Sequence, residues 1–316
     1  EHAQLVVYAS RGTHSWLEKA SDIAGLGTDS IRWVRTDRDH RLDAADLERQ
    51  IAADAGSGVQ PFLVIGTAGN VSTGALDPLP EIAEIAERHG LWFHVDGAYG
   101  APAAMLEEAP AELKALARAD SVALDPHKWL YNPIESACTL VRDPAALSNA
   151  FSFRPSYYRR ASAAAPEHTN YYDHGFQNSR AFRALKTWLC LQQAGRNGYT
   201  RRIREDIALS QALFALADAD PHLEASTQHL SIATFRYVPS NGDAADLREY
   251  ADEVNLRIIE RLIESGNTFV SNAELDGRQF LRACIVNFRT TEQEVRALVR
   301  DVVRAGREIE AGAAGC

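Results

Sequence analysis

The sequence predicts an α/β fold, a mostly parallel sheet covered by helices and followed by a smaller α+β region, and three observations carry that expectation. Up to about residue 145, apolar runs of strand length alternate with stretches of helical period, the pattern of strands joined by crossover helices. Two of those strands end on residues able to do chemistry, Asp96 and the Asp125 to Lys128 segment. From about residue 205 the pattern changes to long amphipathic helices interleaved with separate strands. The expected division is residues 1–204, a large domain, and 205–316, a smaller one. A chain of 316 residues, 46% of them hydrophobic, can bury cores of that size.

Taken in order, Gln4 to Ala9 reads as a buried strand very close to the start, as though the chain began mid-domain. An exposed apolar edge there would invite aggregation, so a missing sheet neighbour, a companion segment upstream, is expected. Phe62 to Ile65 forms the next clear strand and a Gly-rich turn follows it. Asp77 and Pro78 then sit where an N-cap and a first-turn proline belong, Ile82, Ile85 and Ala86 make an apolar stripe, and Gly90 is a C′ stop. Leu91 to Val95 is a buried strand ending at Asp96. After a helix over 111–118, Ser121 to Leu124 is a short strand with Asp125-Pro126-His127-Lys128 at its carboxyl end. Residues 151–180, with Arg159-Arg160 and the cluster Tyr171, Tyr172, Asp173 and His174, read as a long mobile loop. A Leu- and Trp-rich helix is expected from Ser179 to Gln193, and strands over Ile232 to Tyr237 and Phe280 to Phe288.

Composition excludes several function classes. Acidic residues outnumber basic ones by 43 to 33, a net charge of -10, and no run of Lys and Arg interleaved with aromatics occurs, so nucleic acid is not an expected partner. Cys138, Cys190, Cys284 and Cys316 lack paired or metal-like spacing, which fits reduced thiols and no structural metal. No stretch approaches the roughly 18 apolar residues of a membrane span, and Glu1-His2-Ala3-Gln4 lacks the features of a signal peptide. A soluble, cytoplasmic protein is expected.

Asp96 and Lys128 occupy equivalent positions, at strand carboxyl ends, where open α/β sheets bind ligands; they can share one crevice although 32 positions apart. An aspartate in such a place is commonly a cap or turn residue. A lysine beside a histidine and followed by Trp129-Leu130 is less ordinary, because apolar surroundings desolvate an ammonium and make the amine a candidate imine former. A carboxylate beside a pyridine nitrogen keeps that nitrogen protonated, and the ring can then accept the electrons of a broken bond at a substrate α-carbon.

His94-Val95-Asp96-Gly97-Ala98-Tyr99-Gly100 with Asp125-Pro126-His127-Lys128-Trp129 closely resembles the group II pyridoxal-phosphate-dependent amino acid decarboxylases, the aromatic-L-amino-acid decarboxylase family. Thr67-Ala68-Gly69 through Asp77-Pro78, Ser179-Arg180, and Leu281-Arg282 followed by Asn287 agree with the same pattern, so the resemblance covers the whole chain. It implies a type I pyridoxal-phosphate fold. It also implies that Lys128 holds pyridoxal 5′-phosphate as an imine, that Asp96 faces the ring nitrogen, and that Ala98 and His14 press on opposite ring faces. His127, Asp125 and Thr67 are implied near the cofactor, and Asn70 in a turn near the substrate. Tyr171, with Tyr172 beside it, matches a loop tyrosine that returns a proton to the α-carbon. Gly97 stands where alanine is usual, which opens a little room.

The implied activity is α-decarboxylation of an L-amino acid, aromatic as a first expectation, to the amine and CO2, by a homodimer with shared active sites. Two alternatives stand beside it: oxidative deamination to an aldehyde with O2, which family members lacking the tyrosine or the stacking histidine perform, and an inactive structural or regulatory relative. The family's amino-terminal region, with its dimer segment and the turn that grips the cofactor phosphate, has no counterpart here. It is removed, supplied by another polypeptide, or lost along with activity; a companion segment is favoured.

Overall fold

The computed structural model describes residues 3–153, 170–240 and 247–313. Its strands are β1 Gln4–Ser10, β2 Ile31–Val34, β3 Val59–Thr67, β4 Trp92–Asp96, β5 Ser121–Leu124, β6 Cys138–Val141, β7 Leu223–His229, β8 Ile232–Tyr237, β9 Ser271–Leu275 and β10 Arg278–Cys284. The helices are α1 Trp16–Ile23, α2 Ala44–Ala55, α3 Leu79–His89, α4 Ala111–Lys114, α5 Pro144–Phe151, α6 Arg183–Ala219, α7 Leu247–Ser265 and α8 Glu292–Ala313. Among the described residues no helix is long and apolar enough to cross a membrane.

The first six strands form one sheet in the order β2-β1-β3-β4-β5-β6, parallel except that β6 runs antiparallel to β5. The expected edge at the chain start is corrected: β1 lies inside the sheet, with Val7 to Ser10 paired to β2 and Gln4 to Ala9 paired to β3. Its unbroken run of buried residues from Val6 to Ser10 reflects cover on both faces and a neighbour on each side. The chain leaves β1 toward β2 and returns to β3 on its other side, so strand order reverses there. Such a reversal leaves a crevice at the carboxyl ends of the strands.

The remaining strands form an antiparallel sheet, β7-β8-β10-β9, backed by α6, α7 and α8 around a second apolar core running from Leu213 to Ile309. α6 runs straight through the expected boundary at 204 and 205, bending at Gly195, whose φ of 62° leaves the helical range. Its second half buries Tyr199, Ile203, Asp206, Ser210 and Leu213, spaced by three and four, against both cores.

Several local expectations are revised. The N-cap of α3 is Pro78, and Asp77 is instead a buried cross-link: its two oxygens accept from the Leu42 and Thr67 amides, each at 2.7 Å. Gly90 does terminate α3 at φ 66°. The helix expected over 111–118 is one α turn followed by a 3-10 turn, the Leu/Trp-rich helix starts at Arg183 and runs on to Ala219, and the last strand stops at Cys284. Of the loop read over 151–180, residues 154–169 lie outside the described residues; Tyr171–His174 form a short 3-10 turn packed on α5.

Candidate active site

A cavity of about 600 Å³ opens at the carboxyl ends of β1, β3, β4 and β5, at the point where strand order reverses. The loop after β1 contributes His14 and the start of α1 contributes Trp16; β3 and its turn contribute Thr67, Gly69 and Val71; β4 leads to Asp96, Ala98 and Tyr99. β5 leads to Ala123, Asp125 and Lys128, and the second sheet closes the far side with Arg282, Cys284 and Val286. Thus six of the residues singled out from the sequence, His14, Thr67, Asp96, Ala98, Asp125 and Lys128, meet in one place.

The parallel register sets this convergence, since Thr67 pairs with Asp96 and Asp96 with Ala123. Asp96 is 7% exposed, and its carboxylate accepts from the Ala98 amide at 3.2 Å and the Trp16 indole at 2.7 Å. Gly97 makes the turn possible and opens no room: a Cβ there would lie 2.6 Å from the Ala101 Cβ and 3.1 Å from the Ala123 carbonyl oxygen. That space is already filled by Ala101, which corrects the expectation from sequence. Below Asp96, Ser121 Oγ accepts the Trp92 indole N–H at 2.9 Å and is hydrogen-bonded to His94 Nδ1 at 2.8 Å. Burial holds the His94 pKa below its ordinary value.

Lys128 is not enclosed by its apolar neighbours. Its side chain is 42% exposed and its Nζ lies 2.9 Å from Asp125 Oδ2, while Trp129 is fully buried beneath, stacked on Tyr99 at 4.9 Å. The loop that carries the lysine is anchored from α6. Asp206 Oδ2 accepts both the Trp129 indole N–H at 2.9 Å and the Tyr131 hydroxyl at 2.7 Å, and burial raises the Asp206 pKa to about 6. Tyr199 donates to the Leu130 carbonyl at 3.2 Å, and Thr187 holds Asn132 and Ser136. Tyr131 itself sits at φ 54°, a conformation such a framework can hold.

Four expected residues fall elsewhere. Asn70 is 4% exposed but faces its own turn: Oδ1 accepts from Ser72 N, Thr73 N and the Thr73 hydroxyl, and Nδ2 donates to the His40 carbonyl. With its carboxamide so committed, the cavity wall there is made by Gly69 and Val71. His127 turns away to Ser136, at 2.5 Å from its carbonyl oxygen, with Nε2 3.8 Å from Asp125. Tyr171, 70% exposed, and Tyr172 belong to the turn on α5 and do not line the cavity. Conversely, sequence reasoning passed over Trp16, which reads as an ordinary apolar residue opening α1. It also passed over Arg282 as a wall residue; its only signal was agreement with a family segment.

Fold and cavity define an α/β protein whose candidate ligand site lies at a strand-order reversal. The chain belongs to the pyridoxal-dependent decarboxylase family, whose conserved domain matches residues 2–238. It is similar to the aromatic-L-amino-acid decarboxylase of Bacillus atrophaeus, 33% identical over 305 residues, a match covering 96% of this chain and 63% of that protein. The crystal structure of Oryza sativa TDC with PLP and tryptamine superposes with a TM-score of 0.90 at 32% identity, covering 97% of this chain and 63% of the other. That of Rhodiola rosea 4-hydroxyphenylacetaldehyde synthase gives 0.84 at 27% identity, with 97% and 63% covered. The chain spans about three fifths of the length of these relatives.

The cofactor of the family is pyridoxal 5′-phosphate, and the residues present fit it. A primary amine, a buried carboxylate and a small side chain, Ala98, border one cavity. The Thr67 hydroxyl beside them is buried without a hydrogen-bond partner among the described residues, a condition that native proteins rarely leave unfilled unless a ligand or water completes it.

Proposed function

We propose that the protein decarboxylates an aromatic L-amino acid to its amine and CO2 with pyridoxal 5′-phosphate. The observation that carries this reading is the meeting of Lys128, Asp96 and Arg282 around one cavity. When bound, the cofactor supplies an electron sink for the pair left at the α-carbon as CO2 departs. Lys128 binds the cofactor covalently, with Asp125 as its counter-ion, and afterwards moves protons as a free amine. Asp96 holds a proton at the ring nitrogen. His14 and Ala98 confine the ring, and Thr67 gives it the hydroxyl that now lacks a partner among the described residues. Arg282, whose buried Nε has no hydrogen-bond partner among those residues while Nη1 donates to Ser271 at 3.2 Å, orients the substrate carboxylate. Val71, Tyr99 and Val286 offer an apolar wall suited to an aromatic side chain.

We infer further a cytoplasmic homodimer in which Tyr171 or Tyr172 of a second copy serves as proton donor. Supporting this are the exposure of Tyr171 and the exposed apolar residues Leu185, Trp188 and Leu189 along α6, with Phe182 at its N-cap. Free thiols at Cys138, Cys190 and Cys284 agree with a reducing compartment. The division at residue 204 belongs to the same reading, supported by the two separate apolar cores. A second reading, aldehyde formation with O2, is favoured by the place of both tyrosines outside the cavity and by the likeness to an aldehyde synthase. The test is to incubate the protein and cofactor with a panel of amino acids, measuring CO2, amine, aldehyde and peroxide together, with Lys128→Ala as control. Amine equal to CO2 supports decarboxylation, and peroxide equal to aldehyde supports the second reading. Visible absorbance of bound cofactor retained in Lys128→Ala overturns the assignment of the lysine.

A further inference from the structure

We propose that Trp16 is a positioning residue of this site, its indole orienting Asp96 toward the cofactor while the backbone N–H at the same position holds His14; the inference rests on the reading of Asp96 as the partner of the ring nitrogen. Two separate hydrogen bonds point to it. The Trp16 indole N–H donates to Asp96 Oδ2 at 2.7 Å, and the Trp16 backbone N–H donates to His14 Nδ1 at 3.1 Å. The second bond makes Nδ1 an acceptor, so the neutral His14 ring carries its proton on Nε2. The first is a hydrogen bond to a buried carboxylate, of the stronger, charge-assisted kind. Oδ1 is held independently by the Ala98 amide at 3.2 Å, so indole and amide grip the carboxylate from both oxygens and fix its plane.

The indole is itself held. It packs edge-on against His94 with ring centroids 5.9 Å apart, and His94 is tied to Ser121, which also receives Trp92. A carboxylate so clamped retains acceptor capacity for one more donor while being unable to turn away, and it arrives already oriented. Preorganisation of this kind lowers the ordering cost of binding.

The experiment measures binding of pyridoxal 5′-phosphate and of its deaza analogue, in which C–H replaces the ring nitrogen, by equilibrium dialysis of the full chain. Trp16→Phe keeps an aromatic ring and removes the N–H. Its expected effect is a loss of about tenfold or more in affinity for the cofactor, the scale of one hydrogen bond to a charged group, with affinity for the analogue unchanged. In an Asp96→Asn background the same replacement should cost nothing further, because coupled residues do not add. Benzothienylalanine at position 16, which exchanges N–H for sulfur and preserves packing, should reproduce the result if the phenylalanine variant folds poorly. Equal losses for both ligands, or additive losses with Asp96→Asn, would mean packing alone and overturn the inference. No measurable cofactor binding by the wild-type chain would overturn the functional reading along with it.

Discussion

Asp206→Asn isolates the charge beneath the lysine loop. A single oxygen, Oδ2, accepts from both Trp129 and Tyr131, so the amide oxygen of the introduced asparagine can keep both bonds with its two lone pairs. What disappears is the ionisation. The residue is 2% exposed and its carboxyl pKa stands at about 6, chiefly because burial disfavours the charged form, against an ordinary value of 3.8. Below the unfolded value Asp206 is neutral in both states and its full contribution to stability is present. As pH rises the unfolded chain ionises first, and by the time the folded carboxyl follows, the folded state has lost roughly 3 kcal/mol relative to acid conditions. The variant has no such loss. Its stability minus that of wild type should therefore climb by about 3 kcal/mol from about pH 2 to about pH 7, starting near zero. Denaturant unfolding followed by tryptophan fluorescence at steps across that range measures the difference, and titrations common to both proteins cancel. A difference that stays flat, or that falls as pH rises, refutes the account of Asp206 as a buried carboxyl held against its own desolvation.

Gly97→Ala should destabilise the protein by about 1–3 kcal/mol through overpacking against the Ala101 Cβ at 2.6 Å, and the added replacement Ala101→Gly should recover most of the loss in thermal melting. Asp77→Asn should cost about 1–3 kcal/mol, because one amide oxygen cannot serve the Leu42 and Thr67 amides that two carboxylate oxygens serve now. Hydrogen exchange at the Leu42 amide should quicken in that variant, and unchanged protection would count against the cross-link.

What could be read from the sequence was whatever depends on short range. The strands ending at Asp96 and Leu124 are dense apolar runs, so their carboxyl ends, and with them Asp96, Asp125 and Lys128, could be placed together before any pairing was known. Strand order is a long-range property: nothing inside Gln4–Ser10 tells an interior strand from an edge, and β1 proved interior. Asp77 has the local surroundings of a cap, but partners 10 and 35 residues away claim its oxygens. Asn70 illustrates the opposite error, since a polar residue in a Gly-rich turn near a ligand site looks like a contact until the turn's own amides are counted. Trp16 was hidden because an indole at a helix start looks like core, and only the fold brings its N–H to a carboxylate 80 residues on.

The Tyr99 ring, stacked on Trp129 beside the lysine loop, sends its hydroxyl across to the second sheet, where it lies 2.7 Å from Ser231 Oγ and accepts from the Ser231 amide at 2.9 Å. Arg282, Cys284 and Val286 face the same cavity from that side. A ligand held there touches walls that exist together only while both cores are folded and docked. Ligand binding there therefore favours, by mass action, the state in which both cores are folded and docked. Thermal protection by a ligand thus reports on the joint, as well as on the pocket.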